Sequence, residues 1–154
     1  MNQIKTVVLV ISIFAAIMMS GCKDQVPKNF FTDVEFPEQK IAENVIVIAE
    51  FSEYDRNVEK IKFTVANNGD EIFGTGENFR MQKMEDGKWR DVSVTGEFNL
   101  LGYIYEPGKT SSYYATLKDH VKYPLPEGQY RIGVGFTESP TERDTIAYGE
   151  FVVK

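Results

Sequence analysis

The stretch VEKIKFTVANNGDE (58–71) decides the fold class of this chain. Every second residue from Ile61 to Val65 is apolar, so these side chains fall on one face of an extended chain. This period of two is typical of a β-strand that buries one face and exposes the other to water. The pair Asn68-Gly69 follows and is a turn signal, so the strand is predicted to end there.

Similar short β signals continue along the rest of the chain, with turn signals between them. A two-residue hairpin is predicted at Asp86-Gly87, and no amphipathic helix of useful length is found. The pattern predicts an all-β fold, an antiparallel β-sandwich, with a small closed barrel as the competing architecture. The other strand signals are NVIVIAEF (44–51), NFRMQKM (78–84), SSYYATL (111–117), GQYRIGVGF (128–136) and IAYGEFVV (146–153).

The composition limits the classes of function. The 154 residues have a formal net charge of −6, and nucleic-acid binding needs a basic surface, so we expect no nucleic-acid partner. The only cysteine, Cys22, cannot form an internal disulfide bond. Because His120 is the only histidine, a zinc site is not expected either, and the metal and cofactor predictions are both none.

The first residues have the layout of an export signal. Lys5 precedes an uncharged apolar run over 7–19, which has the length of a signal-peptide core and is short for a membrane-spanning helix. The run ends on the small residues Ser20 and Gly21, directly before Cys22.

The sequence Met19-Ser20-Gly21-Cys22 resembles the lipobox of bacterial lipoproteins, with methionine where leucine is usual. The resemblance implies cleavage between Gly21 and Cys22 and a diacylglyceryl group on the Cys22 sulfur. Two acyl chains give stable anchoring, so the expected location is the extracytoplasmic face of the cell membrane, lipid-anchored.

This reading divides the chain into three parts: a lipoprotein signal peptide (1–21), a lipidated N-terminus and tether (22–40) and the β domain (41–154). Two prolines and many polar residues suit a tether. Phe30, Phe31 and Phe36 do not suit a pure spacer, and we expect them to pack on the domain rather than lie near the membrane surface.

An ordered set of segments resembles a bacterial immunoglobulin (Ig)-like domain of the kind found in small envelope lipoproteins of Gram-positive bacteria. The resemblance covers roughly 41–154 and implies an Ig-like sandwich of about seven strands, without the cysteine pair of antibody domains. Trp89 follows a hairpin, so we assign it a structural role but do not equate it with the buried tryptophan of antibody domains. The segments are FTVANNGDE (63–71), FRMQKMEDGKW (79–89), YEPGKTSSYYATL (105–117) and LPEGQYRI (125–132).

Gly128 and Tyr130 have the spacing of a tyrosine corner, in which the phenol oxygen bonds to upstream backbone. The alternative is an ordinary buried tyrosine. Both readings give these two residues a structural role.

No catalytic constellation is found. His120 and Asp119 have no accompanying G-x-S-x-G sequence, and the glycine pairs near 74–76 and 133–135 lack the pattern of a phosphate loop. We therefore predict no catalytic residues and no enzyme activity. Gly133 and Gly135 are expected to relieve crowding between closely packed strands.

Binding is the more plausible class of function, because loops at the ends of sandwiches carry function more often than cores do. The segment DEIFGTGENF (70–79) is unusually apolar for a connection, and Phe73 is its candidate. Five tyrosines between 103 and 123 could form an aromatic binding face, but core packing is the simpler explanation. The first candidate loop, TESPTERDT (137–145), contributes Glu138, Glu142, Arg143 and Asp144.

These observations predict a membrane-anchored lipoprotein that acts as a non-enzymatic interaction module at the cell envelope. Its partner would be an envelope protein or a cell-wall component. The alternative is an accessory or sensor lipoprotein that binds a small ligand or a cell-wall component.

Overall fold

The computed structural model describes residues 26–99 and 101–154, so Gly21, Cys22 and the signal segment lie outside the described residues. Within these ranges the chain forms eleven strands, and no helix is long and apolar enough to cross a membrane. The strands are β1 (Lys40–Ile41), β2 (Val45–Ala49), β3 (Glu53–Tyr54), β4 (Lys60–Asn67), β5 (Ile72–Thr75), β6 (Phe79–Glu85), β7 (Lys88–Asp91), β8 (Tyr103–Tyr105), β9 (Thr110–Thr116), β10 (Gly128–Ser139) and β11 (Arg143–Val153).

Eight of these strands form the larger sheet, which is built around the long hairpin of β10 and β11. The free side of β10 is shared by two strands: β6 pairs with Tyr130 to Val134, and β5 pairs with Thr137 to Ser139. Strand β7 extends the sheet beyond β6, and β8 extends it beyond β5. Short strands β1 and β3 pair with β11 in parallel, so the sheet is mixed rather than purely antiparallel as predicted.

The smaller sheet has the order β2-β4-β9 and is antiparallel. Its central strand β4 is the alternating stretch that decides the fold class. Strand β4 ends at Asn67, as predicted, but the turn at Asn68-Gly69 leads into the other sheet instead of closing a hairpin. Asn67 is fully buried, donates to the carbonyls of Glu71 and Tyr105, and accepts from the Gly69 N–H.

The core lies between the two sheets. Ile61, Phe63 and Val65 of β4 have no exposed surface, and Phe63 packs edge-on against Phe151 of the larger sheet. The predicted all-β sandwich of Ig type is therefore confirmed. The strand count exceeds about seven because short strands such as β1, β3 and β8 are added at its margins.

The turns show why particular residues are needed. Asp86 and Gly87 both have positive φ values, 49° and 77°, and close the β6–β7 hairpin as predicted. Gly128 has φ 144°, a region that strongly favours glycine, at the start of β10. The Tyr130 hydroxyl donates to the Pro126 carbonyl at 2.6 Å, which is the geometry of a tyrosine corner.

The segment expected to be a tether is partly packed on the domain. Phe30 is 1% exposed and belongs to the core, and Phe31 forms a β-bridge with Val92. Phe36, in contrast, is 47% exposed and lies over the Arg80 guanidinium. Packing therefore begins before residue 41, where the sequence analysis placed the start of the domain.

Candidate functional site

The predicted binding loop is a tight hairpin between β10 and β11. Glu138 and Arg143 are cross-strand partners, and their side chains approach to 3.8 Å between Arg143 Nη1 and Glu138 Oε2. Thr141 Oγ1 also donates to Glu138. The Arg143 side chain is 54% exposed, and an ion pair this open to water contributes little stability. Together with Lys40 and Glu71, these groups line a shallow polar cleft of about 240 Å³.

Glu142 and Asp144 do not join that cleft. Glu142 is exposed and occupies a turn position with φ 52°. Asp144 accepts a hydrogen bond from Thr137 Oγ1 at 2.9 Å and lies along the side of the hairpin. The structure therefore brings Glu138 and Arg143 together but leaves the other two predicted charges apart from them.

The prediction that Phe73 is a binding-loop residue is wrong. It lies on β5, is 3% exposed, and packs edge-on against Phe136 in the core. The neighbouring Ile72 points outward and is 43% exposed. The segment was predicted to be a connection, but residues 72–75 form a strand that pairs with β10 and β8 and buries Phe73.

Trp89 lies on a different surface, the outer face of the larger sheet. The Arg131 guanidinium carbon lies 4.4 Å from the Trp89 ring centroid and 3.9 Å from that of Tyr148. Trp89 is on β7, Arg131 on β10 and Tyr148 on β11, so three strands build this contact. Guanidinium groups are attracted to aromatic faces, and two such contacts restrict the orientation of Arg131.

A chain of hydrogen bonds continues from Arg131 across the same face. Arg131 Nε donates to Gln82 Oε1 at 2.7 Å, and Gln82 Nε2 donates to Asp91 Oδ1 at 3.1 Å. Arg80 donates to both oxygens of Asp91, through Nε and through Nη2 at 2.7 Å. This bidentate geometry is the strong form of an arginine–carboxylate pair. We call these four residues, with Trp89 and Tyr148, the arginine network.

The two arginines of the network differ in electrostatic state. The hydrogen bond from Arg80 to Asp91 raises the pKa of Arg80, so this charge is satisfied within the protein. Burial lowers the pKa of Arg131, and no described carboxylate forms an ion pair with it. Its cross-strand neighbour Glu150 instead accepts from Gln129 Nε2 at 3.1 Å. Arg131 therefore keeps an incompletely compensated charge.

A groove runs beside the network, past Gly133 and Gly135. Gly133 is buried against the Ile146 and Tyr148 side chains, and the floor of the groove is open at Gly135. The groove has a volume of about 180 Å³. A Cβ atom on Gly133 would lie 2.7 Å from Ile146 and Tyr148 atoms, as the crowding prediction requires. A Cβ on Gly135 would meet only the Thr145 carbonyl, at 4.0 Å, so the space above Gly135 is open and the crowding prediction is wrong for this residue. We call this groove the glycine trench; its lining includes Phe36, Gln39, Asn78, Arg80, Gly133 and Gly135.

This surface was not predicted, although the sequence contains a signal for it. In β10, the odd positions Arg131, Gly133 and Gly135 alternate with large apolar residues, so one face of the strand carries an arginine followed by two glycines. The same period places Arg80 and Gln82 together on β6. The period of two predicts which side chains share a face, but not which strands meet on that face.

His120 makes no catalytic arrangement. Its ring stacks on Phe98 with centroids 4.1 Å apart, and Nδ1 lies 2.8 Å from the Thr95 carbonyl oxygen. In the part of the chain that the structure describes, no group of three or more His, Cys, Asp and Glu side chains could hold a metal ion. The tyrosines do not form one face, because Tyr113 is fully buried while Tyr114 is 41% exposed.

Comparison with known proteins gives a family match and a partial similarity to a solved structure. The family model described as a bacterial Ig-like domain matches residues 42–149, from the start of the sandwich into β11. Among solved structures, the chain is similar to Spo0M, a sporulation control protein from Bacillus subtilis, with 14% sequence identity and a TM-score of 0.42. The similarity covers 72% of this chain and 49% of the Spo0M chain, so this chain spans about half the length of that protein. No curated protein matches.

Proposed function

The chain belongs to the family of bacterial Ig-like domains, and we propose that it is a lipid-anchored binding module at the extracytoplasmic face of the cell membrane. Cys22 is the proposed site of the diacylglyceryl group, following cleavage after Gly21. The support for this anchor is the order of features in the sequence: a single positive charge, an apolar run of signal-peptide length, then Ser20-Gly21-Cys22.

The observation that carries the binding role is the outer face of the larger sheet. An Ig-like fold does not by itself imply a function, so the function must be argued from a surface. Here a preorganised arginine, Arg131, lies on the same sheet face as a glycine-floored trench, and neither is needed to build the core. A concave site with a few fixed polar groups is the usual form of a ligand site.

We assign the module no catalytic role. The only histidine, His120, contacts Phe98 and the Thr95 carbonyl rather than a carboxylate or a hydroxyl nucleophile. General acid–base or nucleophilic catalysis needs such a pair within hydrogen-bond reach. The proposal therefore assigns recognition to the domain and positioning to the anchor.

A second candidate is an accessory or sensor lipoprotein that binds a small ligand or a cell-wall component. The small volume of the trench favours this second candidate, since about 180 Å³ accommodates a small molecule or one extended chain rather than a broad protein interface. Both candidates use the same face, and they differ in whether the occupant belongs to a protein of the envelope.

The anchor is tested by intact-mass analysis of the chain purified from membranes. The expected species begins at Cys22 and carries the mass of a diacylglyceryl group. Cys22→Ala should remain unprocessed and unlipidated, whereas Met19→Leu, which restores the usual lipobox residue, should be processed like the unchanged chain. An unmodified Met1 terminus in the membrane-purified protein would contradict the anchor.

The binding role is tested by crosslinking in living cells. One dominant protein partner would support the interaction module, and a bound glycan or small molecule would support the second candidate. Arg131→Gln should weaken capture, and Arg143→Gln on the exposed hairpin serves as the matched control. Equal capture by both variants and by the unchanged chain would show that the outer face is not the binding surface.

A further inference from the structure

Arg131 is held in place while its outer edge remains open. Its Nε donates to Gln82, and its guanidinium carbon lies over the rings of both Trp89 and Tyr148. The Nη1 and Nη2 atoms make no hydrogen bond to any of the described residues. The orientation of the guanidinium is thus set before any ligand arrives, which reduces the entropy cost of binding.

The open edge of Arg131 has the geometry of a carboxylate receptor. Two parallel N–H groups of a guanidinium match the two oxygens of a carboxylate, and such bidentate pairs are directional. Arg80 shows this mode in the same network, where it already binds Asp91. Arg131 is the equivalent group without a carboxylate of its own.

The groups near Arg131 favour a carboxylate that belongs to the end of an extended peptide. Along β10, Arg131 and Gly135 are four residues apart, which is about 13 Å in a strand. Phe36 and Gln39 line both the cleft at Arg131 and the trench, so the two are adjacent. The trench adds the side-chain amide of Asn78 and an open floor at Gly135. Amides can bond a peptide backbone, and a floor without side chains lets an extended chain approach closely.

We infer that the arginine network and glycine trench bind the C-terminal carboxylate of an extended peptide, with the carboxylate on Arg131 and the preceding residues passing Gln39 toward the open floor at Gly135. The inference rests on the proposed binding role and specifies the ligand of that surface.

Local charge favours a singly charged anion over a doubly charged one. Glu38 and Arg131 line the same cleft, which adjoins the trench, and Glu150 is the cross-strand neighbour of Arg131. The chain as a whole has a net charge of −6. A phosphate dianion would be repelled more strongly by these groups than a carboxylate, which carries a single charge.

The test is a titration of the full chain with N-acetyl-trialanine as the free acid and as its C-terminal amide. Trp89 is the only tryptophan and contacts Arg131, so its fluorescence reports directly on the site. The acid should give a saturable change, and the amide should bind at least about tenfold more weakly, since it loses a charge-assisted hydrogen-bonded pair. Inorganic phosphate should bind more weakly than the acid.

Two variants separate the roles of the arginine and the trench, with binding measured by calorimetry. Arg131→Lys keeps the positive charge but loses the planar fork, and it should weaken binding of the acid by about tenfold. Gly135→Leu should weaken binding by filling the trench, because its Cβ meets no side chain. Arg143→Lys is the matched control and should bind like the unchanged chain.

Equal binding of acid and amide, tighter binding of phosphate, or no binding of any probe would overturn the inference. So would unchanged binding in both Arg131→Lys and Gly135→Leu, provided that their unfolding transitions match that of the unchanged chain. If lipidation at Cys22 and partner capture hold while the acid does not bind, only the ligand assignment fails and the proposed function stands.

Discussion

The two faces of strand β10 use one stretch of backbone for opposite purposes. On the inner face, four large side chains are almost completely buried between the sheets: Tyr130, Ile132, Val134 and Phe136. On the outer face, the intervening positions bear Arg131, Gly133 and Gly135. One face supplies the apolar burial that stabilises the sandwich, and the other leaves open space at Gly135.

This contrast shows why a candidate binding surface need not lie in a loop. A central strand is rigid because it is paired on both sides, so side chains on its outer face have well-defined positions. The 137–145 hairpin, in contrast, exposes Arg143, and the ion pair of Arg143 with Glu138 is open to water. The sheet face therefore offers better preorganisation than the loop that the composition favoured.

Alkaline pH should disrupt the inner face most strongly. Burial raises the pKa of Tyr105 to about 12 and raises the pKa values of Tyr113 and Tyr130 as well. An unfolded tyrosine has a pKa of about 10, so above that pH the folded chain retains protons that the unfolded chain has lost. Stability should be intact below about pH 10 and should fall as pH rises toward and beyond 12.

The measurement is phenolate absorbance together with circular dichroism over the same pH range. The buried phenols should ionise only as the β-sheet signal is lost. Ionisation of all eight tyrosines near pH 10, about the pKa of a free phenol, with the sheet signal intact would contradict the prediction.

Ile132→Ala should have the next largest effect, because it removes a fully buried side chain from the inner face. The expected loss is about 2–5 kcal/mol in the free energy of unfolding, from lost apolar burial and the cavity left behind. Urea unfolding measures it. Thr137→Ala, an exposed change on the outer face of the same strand, should cost less than about 1 kcal/mol. Equal losses would remove the distinction between the two faces.

Gly133→Ala should have a smaller effect and sharpens the comparison within the outer face. The new Cβ would lie 2.7 Å from side-chain atoms of Ile146 and Tyr148, which must shift, at a cost of about 1–3 kcal/mol. Gly135→Ala is the control, since its Cβ meets only the Thr145 carbonyl at 4.0 Å, and it should change stability by less than about 0.5 kcal/mol. Urea unfolding compares the two, and a greater loss for Gly135→Ala would contradict the geometry.

Much of the fold follows from local patterns. The alternation in 58–67 predicted β4 and its buried face, and Asp86-Gly87 predicted the β6–β7 hairpin. These features depend on neighbouring residues along the chain, which the sequence displays directly. The parallel pairings of β1 and β3 with β11 were not predictable in this way, because they join residues far apart in sequence.

The candidate site was less predictable than the fold. Phe73 was assigned to an unusually apolar connection, whereas its pairing with Glu138 and Tyr105 places it in a strand, where its side chain is buried in the core. Trp89 was recognised as structural, but its contact with Arg131 depends on β6 lying between β7 and β10. Strand order depends on contacts between residues far apart in sequence, so it could not be inferred from composition or residue spacing.

The sequence by itself determined that this chain is an all-β sandwich, that it has one cysteine and that an apolar run precedes that cysteine. These are local or compositional properties. Only the tertiary structure decided that Arg131, Gln82 and Asp91 form one network beside a glycine-floored trench. The physical reason is that alternation assigns each side chain to a face of its own strand, while the pairing of distant strands decides which side chains become neighbours.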